Sequence, residues 1–201
     1  MKIAITQRID FIENRNEYRD CIDQALINLV LCSGNSPLLI SNSLIKENNT
    51  HYLEKCLLDY NPDGILISGG NDIGQYISRD KTEEYLYSWA LKNNLPVLGI
   101  CRGMQIIGLL NGSSLKKVNG HVNKRHSVLN IAKNKKSIKN SYHSFSLSEC
   151  PKDFEVTFLS EDGEIEAFKH NKKKISGIMW HPERENIFLK DDINFIKNIY
   201  V

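Results

Sequence analysis

No apolar run in the chain approaches the ~20 residues that span a bilayer. The nearest, Leu26 to Cys32, reads as part of an amphipathic helix. Met1-Lys-Ile-Ala-Ile5 opens a strand instead of a signal-peptide apolar core, so no membrane partner is expected. The five cysteines, Cys21, Cys32, Cys56, Cys101 and Cys150, are odd in number and form no Cys-x-x-Cys pair. That pattern argues against a disulfide framework and for a reducing, cytoplasmic setting. No Gly-Lys-Ser or Gly-Lys-Thr follows a glycine-rich turn, and no glycine spacing fits a dinucleotide fingerprint, which argues against both kinds of nucleotide loop. Excess charge is also small: 26 Lys and Arg against 24 Asp and Glu give a net +2, which does not imply nucleic acid as a partner. With no internal repeat or linker, the 201 residues fit one domain, 1–201. A chain of that size buries roughly 70% of its unfolded surface.

What is present is alternation. Short apolar runs at Ile3 to Thr6, Pro37 to Ser41, Ile65 to Ser68, Pro96 to Ile100 and Ile175 to Trp180 are separated, in the first two-thirds, by helical patterns. This predicts an α/β fold with a mostly parallel sheet flanked by helices. Tyr18, Cys21, Ile22, Ala25, Leu26 and Leu29 lie at helical spacing and predict a first helix, stopped at Gly34. Leu53, Cys56, Leu57 and Tyr60 predict a second. Asp80, with Glu83 three residues on, predicts the capped start of a third. From Ser113 to Ser160 shorter segments predict a small antiparallel region over the catalytic face. Ile193, Ile196 and Tyr200 predict a terminal helix.

Three segments carry chemistry. Leu95-Pro-Val-Leu-Gly-Ile-Cys-Arg-Gly-Met-Gln105 reads as a buried strand that turns into a helix within about three residues, with Cys101 on the corner. So sharp a turn tolerates only small residues two positions either side, and Gly99 and Gly103 stand there. Backbone N–H groups at the helix start stabilise a thiolate. The plainer reading of Cys101 is a small apolar residue ending a core strand. Downstream, a second strand runs into His181-Pro182-Glu183, which offers a base and a carboxylate to orient it from a stiff strand end. Ordinary first-turn helix chemistry is the competing explanation. Finally, Asp63-Gly-Ile-Leu-Ile-Ser-Gly-Gly-Asn-Asp72 ends in paired glycines, and the N–H groups of Gly70 and Arg102 could form an oxyanion hole.

In this order, Gly69-Gly70, Gly99-Ile-Cys-Arg-Gly103 and His181-Pro-Glu183 resemble the class I glutamine amidotransferase-like superfamily, more narrowly its γ-glutamyl hydrolase branch, peptidase family C26. The resemblance spans nearly the whole chain and extends to Ile3-Ala-Ile-Thr6, Arg79-Asp80, Gln105 and Asn140-Ser-Tyr-His143. It implies a flavodoxin-like fold with Cys101, His181 and Glu183 as catalytic residues and no metal or organic cofactor. It further implies a glutamyl head held by Gln105 and by the segment Ser141, Tyr142 and His143, with Gly69 and Asn71 alongside. Two positions depart from the branch: Gln75 stands where proline is usual, and His143-Ser144-Phe145 replaces a His-His-Gln run. The expected partner is a small γ-glutamyl substrate with a nucleotide-linked leaving group; the lysines between Lys116 and Lys139 read as a solvated face, with attraction of an anionic substrate as the alternative. A homodimer is compatible with this. A glutaminase subunit serving a separate synthase, and a non-enzymatic thiol sensor, stay open as alternatives.

His121 and His126 flank Lys124-Arg125 without cysteine or carboxylate neighbours at metal-ligand spacing, so no metal site is expected. His51 and His170 are expected at the surface.

Overall fold

The computed structural model describes residues 1–46 and 49–200. The chain runs β1 (Lys2–Thr6), β2 (Arg8–Ile12), β3 (Glu17–Cys21), α1 (Gln24–Cys32), β4 (Ser36–Ile40), α2 (His51–Tyr60) and β5 (Gly64–Ile67). Next come α3 (Ile77–Lys92), β6 (Val97–Ile100) and α4 (Arg102–Leu110). It then turns mainly to strands: β7 (Leu115–Lys117), β8 (Val122–Asn130), β9 (Lys135–Tyr142), β10 (Phe145–Leu147), β11 (Phe154–Ser160), β12 (Ile165–His170) and β13 (Ile175–Ile178), before α5 (Lys190–Tyr200).

Nine strands form one sheet in the order β4-β1-β5-β6-β13-β12-β11-β8-β9. The five from β4 to β13 are parallel and coincide with the five predicted apolar runs. Every residue of β5 and β6 is buried. A parallel strand covered on both faces has no side to leave polar, which is why these runs read as continuous apolar stretches. On one face Leu53, Leu57, Leu86, Ala90 and Ile107 bring α2, α3 and α4 onto the sheet. On the other, Leu26, Leu29, Ile196 and Tyr200 bring α1 and α5. Among the described residues no helix is long and apolar enough to cross a membrane.

Three expectations need correction. The first helix does not include Tyr18 or Cys21; these lie in β3, paired antiparallel with β2. The helix begins where Asp23 accepts a hydrogen bond from the Ala25 N–H, an N-cap that overrides the apolar spacing upstream. Asp80 lies inside α3, where its carboxylate takes the Gly74 N–H and the Arg102 guanidinium; Tyr76 occupies the cap position. Lastly, the antiparallel strands β12, β11, β8 and β9 form no separate layer. They extend the sheet beyond β13, each pairing with the edge left by its neighbour, while β7 and β10 form a pair of their own.

Candidate active site

Cys101 stands between the last residue of β6 and the first of α4 at φ 51° and ψ −106°. The corner closes because its flanks lack side chains. A Cβ on Gly99 would come within 2.5 Å of the Gly103 backbone, and one on Gly103 within 2.0 Å of the Ile67 carbonyl oxygen. The Cys101 N–H donates to the Ile178 carbonyl at 2.7 Å, tying the corner to β13. His181 follows that strand at a distance of three residues.

The His181 ring is buried, with Nδ1 2.7 Å from Glu183 Oε1 and the Cys101 thiol as its other neighbour. Burial lowers its pKa, but the cysteine and the Glu183 carboxylate outweigh that and raise it to about 9. Its backbone is bracketed by one amide: the His181 N–H donates to Asn140 Oδ1 at 2.8 Å, and Asn140 Nδ2 donates to the His181 carbonyl at 2.7 Å. Asn140 therefore positions the imidazole from β9, although the sequence reading gave it no role. Gly69 is the third wall, since a Cβ there would lie 2.8 Å from His181 Cε1 and 3.7 Å from Cys101 Cβ.

Behind the Gly69-Gly70 loop lies a buried ion network. The wholly buried Arg79 donates to the Ser68 and Gly69 carbonyls at 2.9 and 2.8 Å, to the Gly70 carbonyl, and to Glu83 at 2.9 Å. The Arg102 side chain completes the network on Glu83 and Asp80. In a trans peptide the C=O and N–H point opposite ways. Holding the Gly69 carbonyl thus turns the Gly70 N–H away from Arg79. Burial depresses Arg79, with a pKa of about 10, which leaves it cationic at neutral pH. No spacing rule linked Arg79 to the Ser68 to Gly70 carbonyls in advance.

The substrate-binding candidates divide. Gln105 Nε2 donates to the Phe145 carbonyl at 2.9 Å. The Tyr142 ring meets His181 edge-on at 5.7 Å and carries the Arg184 guanidinium at 4.4 Å. Other side chains are already engaged: Ser141 Oγ donates to the His121 carbonyl, His143 Nδ1 faces the Phe145 carbonyl, and the Asn71 amide pairs with the Ile9 backbone. A cavity of about 260 Å³ opens over His181 and Glu183, walled by Arg8, Asp10, Asp23, Gly69, Gly70 and Arg184. Its cations are these arginines, and no lysine of the middle segment lines it. Lys116, Lys136 and Lys139 pair instead with Glu164, Glu161 and Asp192. The expectation that His121 and His126 lack carboxylate neighbours also fails, because folding brings Glu166 to both and Asp162 to His121. His51 is exposed and His170 partly so.

Cys101 on a strained strand-to-helix corner, with the His181 imidazole between it and the Glu183 carboxylate, is an arrangement of thiol, base and carboxylate that can cleave an amide. The class-I glutamine amidotransferase family model matches residues 18–197, and the chain belongs to that family. It is thus a hydrolase acting on a C–N bond. Over 195 residues, 92% of either chain, it is 33% identical to the γ-glutamyl-CDP-amidate hydrolase of Campylobacter jejuni. It is 29% identical over 133 residues to the carbamoyl phosphate synthase small chain of Clostridium perfringens, a match covering 63% of this chain and 36% of that one. The glutaminase domain of Trypanosoma brucei CTPS, solved with bound acivicin, superposes with a TM-score of 0.72 at 13% identity, covering 98% and 93% of the two chains. That likeness speaks for the fold alone.

Proposed function

We propose that the chain hydrolyses a γ-glutamyl amide through a Cys101-His181-Glu183 triad and a glutamyl-thioester. The observation that carries this reading is His181, held 2.7 Å from Glu183 on one side with the Cys101 thiol on the other. The thiolate attacks the γ-carbonyl carbon while the N–H groups of Gly70 and Arg102 receive the oxyanion. The C–N bond breaks as His181 gives its proton to the leaving nitrogen. His181 then takes a proton from water, the resulting hydroxide attacks the thioester, and glutamate departs with the thiolate restored. Gln105, Tyr142 and the backbone of 141–145 hold the glutamyl head. This scheme needs no cofactor.

The leaving group we favour is a cytidine diphosphoramidate, so that the substrate is γ-glutamyl-CDP-amidate, as expected in capsular phosphoramidate biosynthesis. Support comes from the Campylobacter relative and from Arg184 on the cavity wall, which suits a diphosphate; Arg8 beside it is paired with Asp10 at 2.7 Å. A second reading, a glutaminase subunit feeding ammonia to a separate synthase, is favoured by the match to a carbamoyl phosphate synthase small chain. The test is glutamate release from γ-glutamyl-CDP-amidate, γ-glutamyl amines and glutamine, with Cys101→Ala as control. Rapid Cys101-dependent release from the nucleotide amidate is the expected result. Glutamine turnover only on adding a synthase would replace it with the second reading.

A further inference from the structure

A second histidine and carboxylate assembly sits in the antiparallel half of the sheet. Glu166, on β12, is wholly buried, and among the described residues neither of its carboxylate oxygens takes a hydrogen bond. Three imidazole nitrogens converge on its Oε1, His121 Nδ1, His126 Nε2 and His143 Nε2, each at 3.4 Å. His121 precedes β8, His126 lies in the middle of it, and His143 follows β9.

The tautomers are fixed from outside. His121 Nε2 lies 2.9 Å from Asp162 Oδ2, and His143 Nδ1 lies 3.1 Å from the Phe145 carbonyl. A carboxylate and a carbonyl only accept, so the N–H of each neutral ring points outward. The inward nitrogens, His121 Nδ1 and His143 Nε2, are 3.2 Å apart, and in neutral rings both would present lone pairs to one another and to Glu166, so that a proton or a cation has to lie between them. His126 Nε2 likewise has no hydrogen-bond partner. Lone pairs facing a carboxylate at such spacing repel unless positive charge lies between them.

The spacing suits a metal ion. Four donors held about 2.0 to 2.1 Å from a tetrahedral centre are about 3.4 Å from one another. The triangle of Glu166, His121 and His143 has sides of 3.4, 3.4 and 3.2 Å, and the donor atoms of His121, His126 and Glu166 all lie within 4.8 Å of each other. Outward hydrogen bonds from ligating imidazoles to a carboxylate or a backbone carbonyl are the usual support of such sites, and Asp162 and Phe145 provide both. We propose that His121, His126, His143 and Glu166 hold a divalent cation of the zinc type in a closed structural site. Three imidazoles and one carboxylate form a donor set that zinc accepts in tetrahedral geometry. The ion would fasten β8, β9 and β12 together and fix the Phe145 carbonyl, which also receives Gln105. It takes no part in the proposed hydrolysis.

A proton is the rival occupant, since the Glu166 carboxylate also raises His121, to about 9. The test measures metal in protein purified without chelator, followed by zinc and cobalt(II) titration after chelator dialysis. Because substitution of the buried Glu166 endangers the fold, the comparison uses Asp162→Asn, whose side chain is 58% exposed, and His126→Ala at 18%. We expect about one zinc per chain and the intense visible absorption of tetrahedral cobalt(II), both retained in Cys101→Ala. Affinity should fall about 10- to 100-fold in Asp162→Asn, and at least as much in His126→Ala. No saturable binding by the wild-type protein would mean that protons fill the cluster. Equal binding by wild type and both variants, or loss in Cys101→Ala, would place the ion elsewhere; each of these overturns the proposal.

Discussion

His181 and Glu183 are two residues apart in the chain, whereas His121, His126, His143 and Glu166 are gathered from separate strands of the antiparallel half. In the first set His181 meets one oxygen of Glu183 at 2.7 Å; in the second, neither oxygen of Glu166 has a hydrogen bond among the described residues. One arrangement suits a group that must accept and return a proton. The other holds its donors still around a centre. The two sets meet through β9, because Asn140 brackets His181 and His143 lies three residues further on.

Removing the nucleophile should divide the two sets most sharply. Cys101→Ala is expected to lower glutamate release by about 10⁴-fold or more, with the His121 cluster unchanged in metal binding. Glu183→Gln should cost up to about 10⁴-fold and move the alkaline limb of kcat/KM below its expected position near pH 9, because the carboxylate is one of the groups that raise His181. A pH–rate profile of the two proteins checks this. The same shift bears on stability. His181 titrates higher folded than at its ordinary 6.5, so its contribution is complete below about pH 6.5 and is lost as pH rises through about 9. Arg79→Met leaves Glu83 short of a buried partner and should destabilise the fold by about 3 to 5 kcal/mol, read from urea denaturation. Asn140→Ala removes two buried hydrogen bonds and should cost about 1 to 3 kcal/mol. Its kcat should fall with little change in KM if the amide serves His181 and not the substrate.

The same contrast explains how much was legible in the sequence. The parallel strands were readable because burial on both faces demands unbroken apolar runs, and the Cys101 corner because sterics demand glycine at fixed offsets. His181 and Glu183 were readable because they are nearly adjacent. The β2-β3 hairpin was missed since Tyr18 and Cys21 happen to continue a helical spacing, and only the Asp23 cap decides where the helix starts. The Arg79 network and the Glu166 cluster were hidden for another reason: their partners lie far apart in sequence and meet only through strand order. The lysine run was readable as a solvated face, but charge count along the chain does not say which cations find carboxylates once folded.

The positive φ of Cys101 also means that the native state keeps a side chain at this corner at the expense of backbone strain. A side chain at φ 51° and ψ −106° is held in a region open mainly to glycine, at a cost of about 1 to 3 kcal/mol. Cys101→Gly should therefore be more stable than Cys101→Ala, by about 1 kcal/mol once the greater backbone freedom of unfolded glycine is counted, as read from urea denaturation of the two variants. Backbone strain alone would favour glycine at this corner.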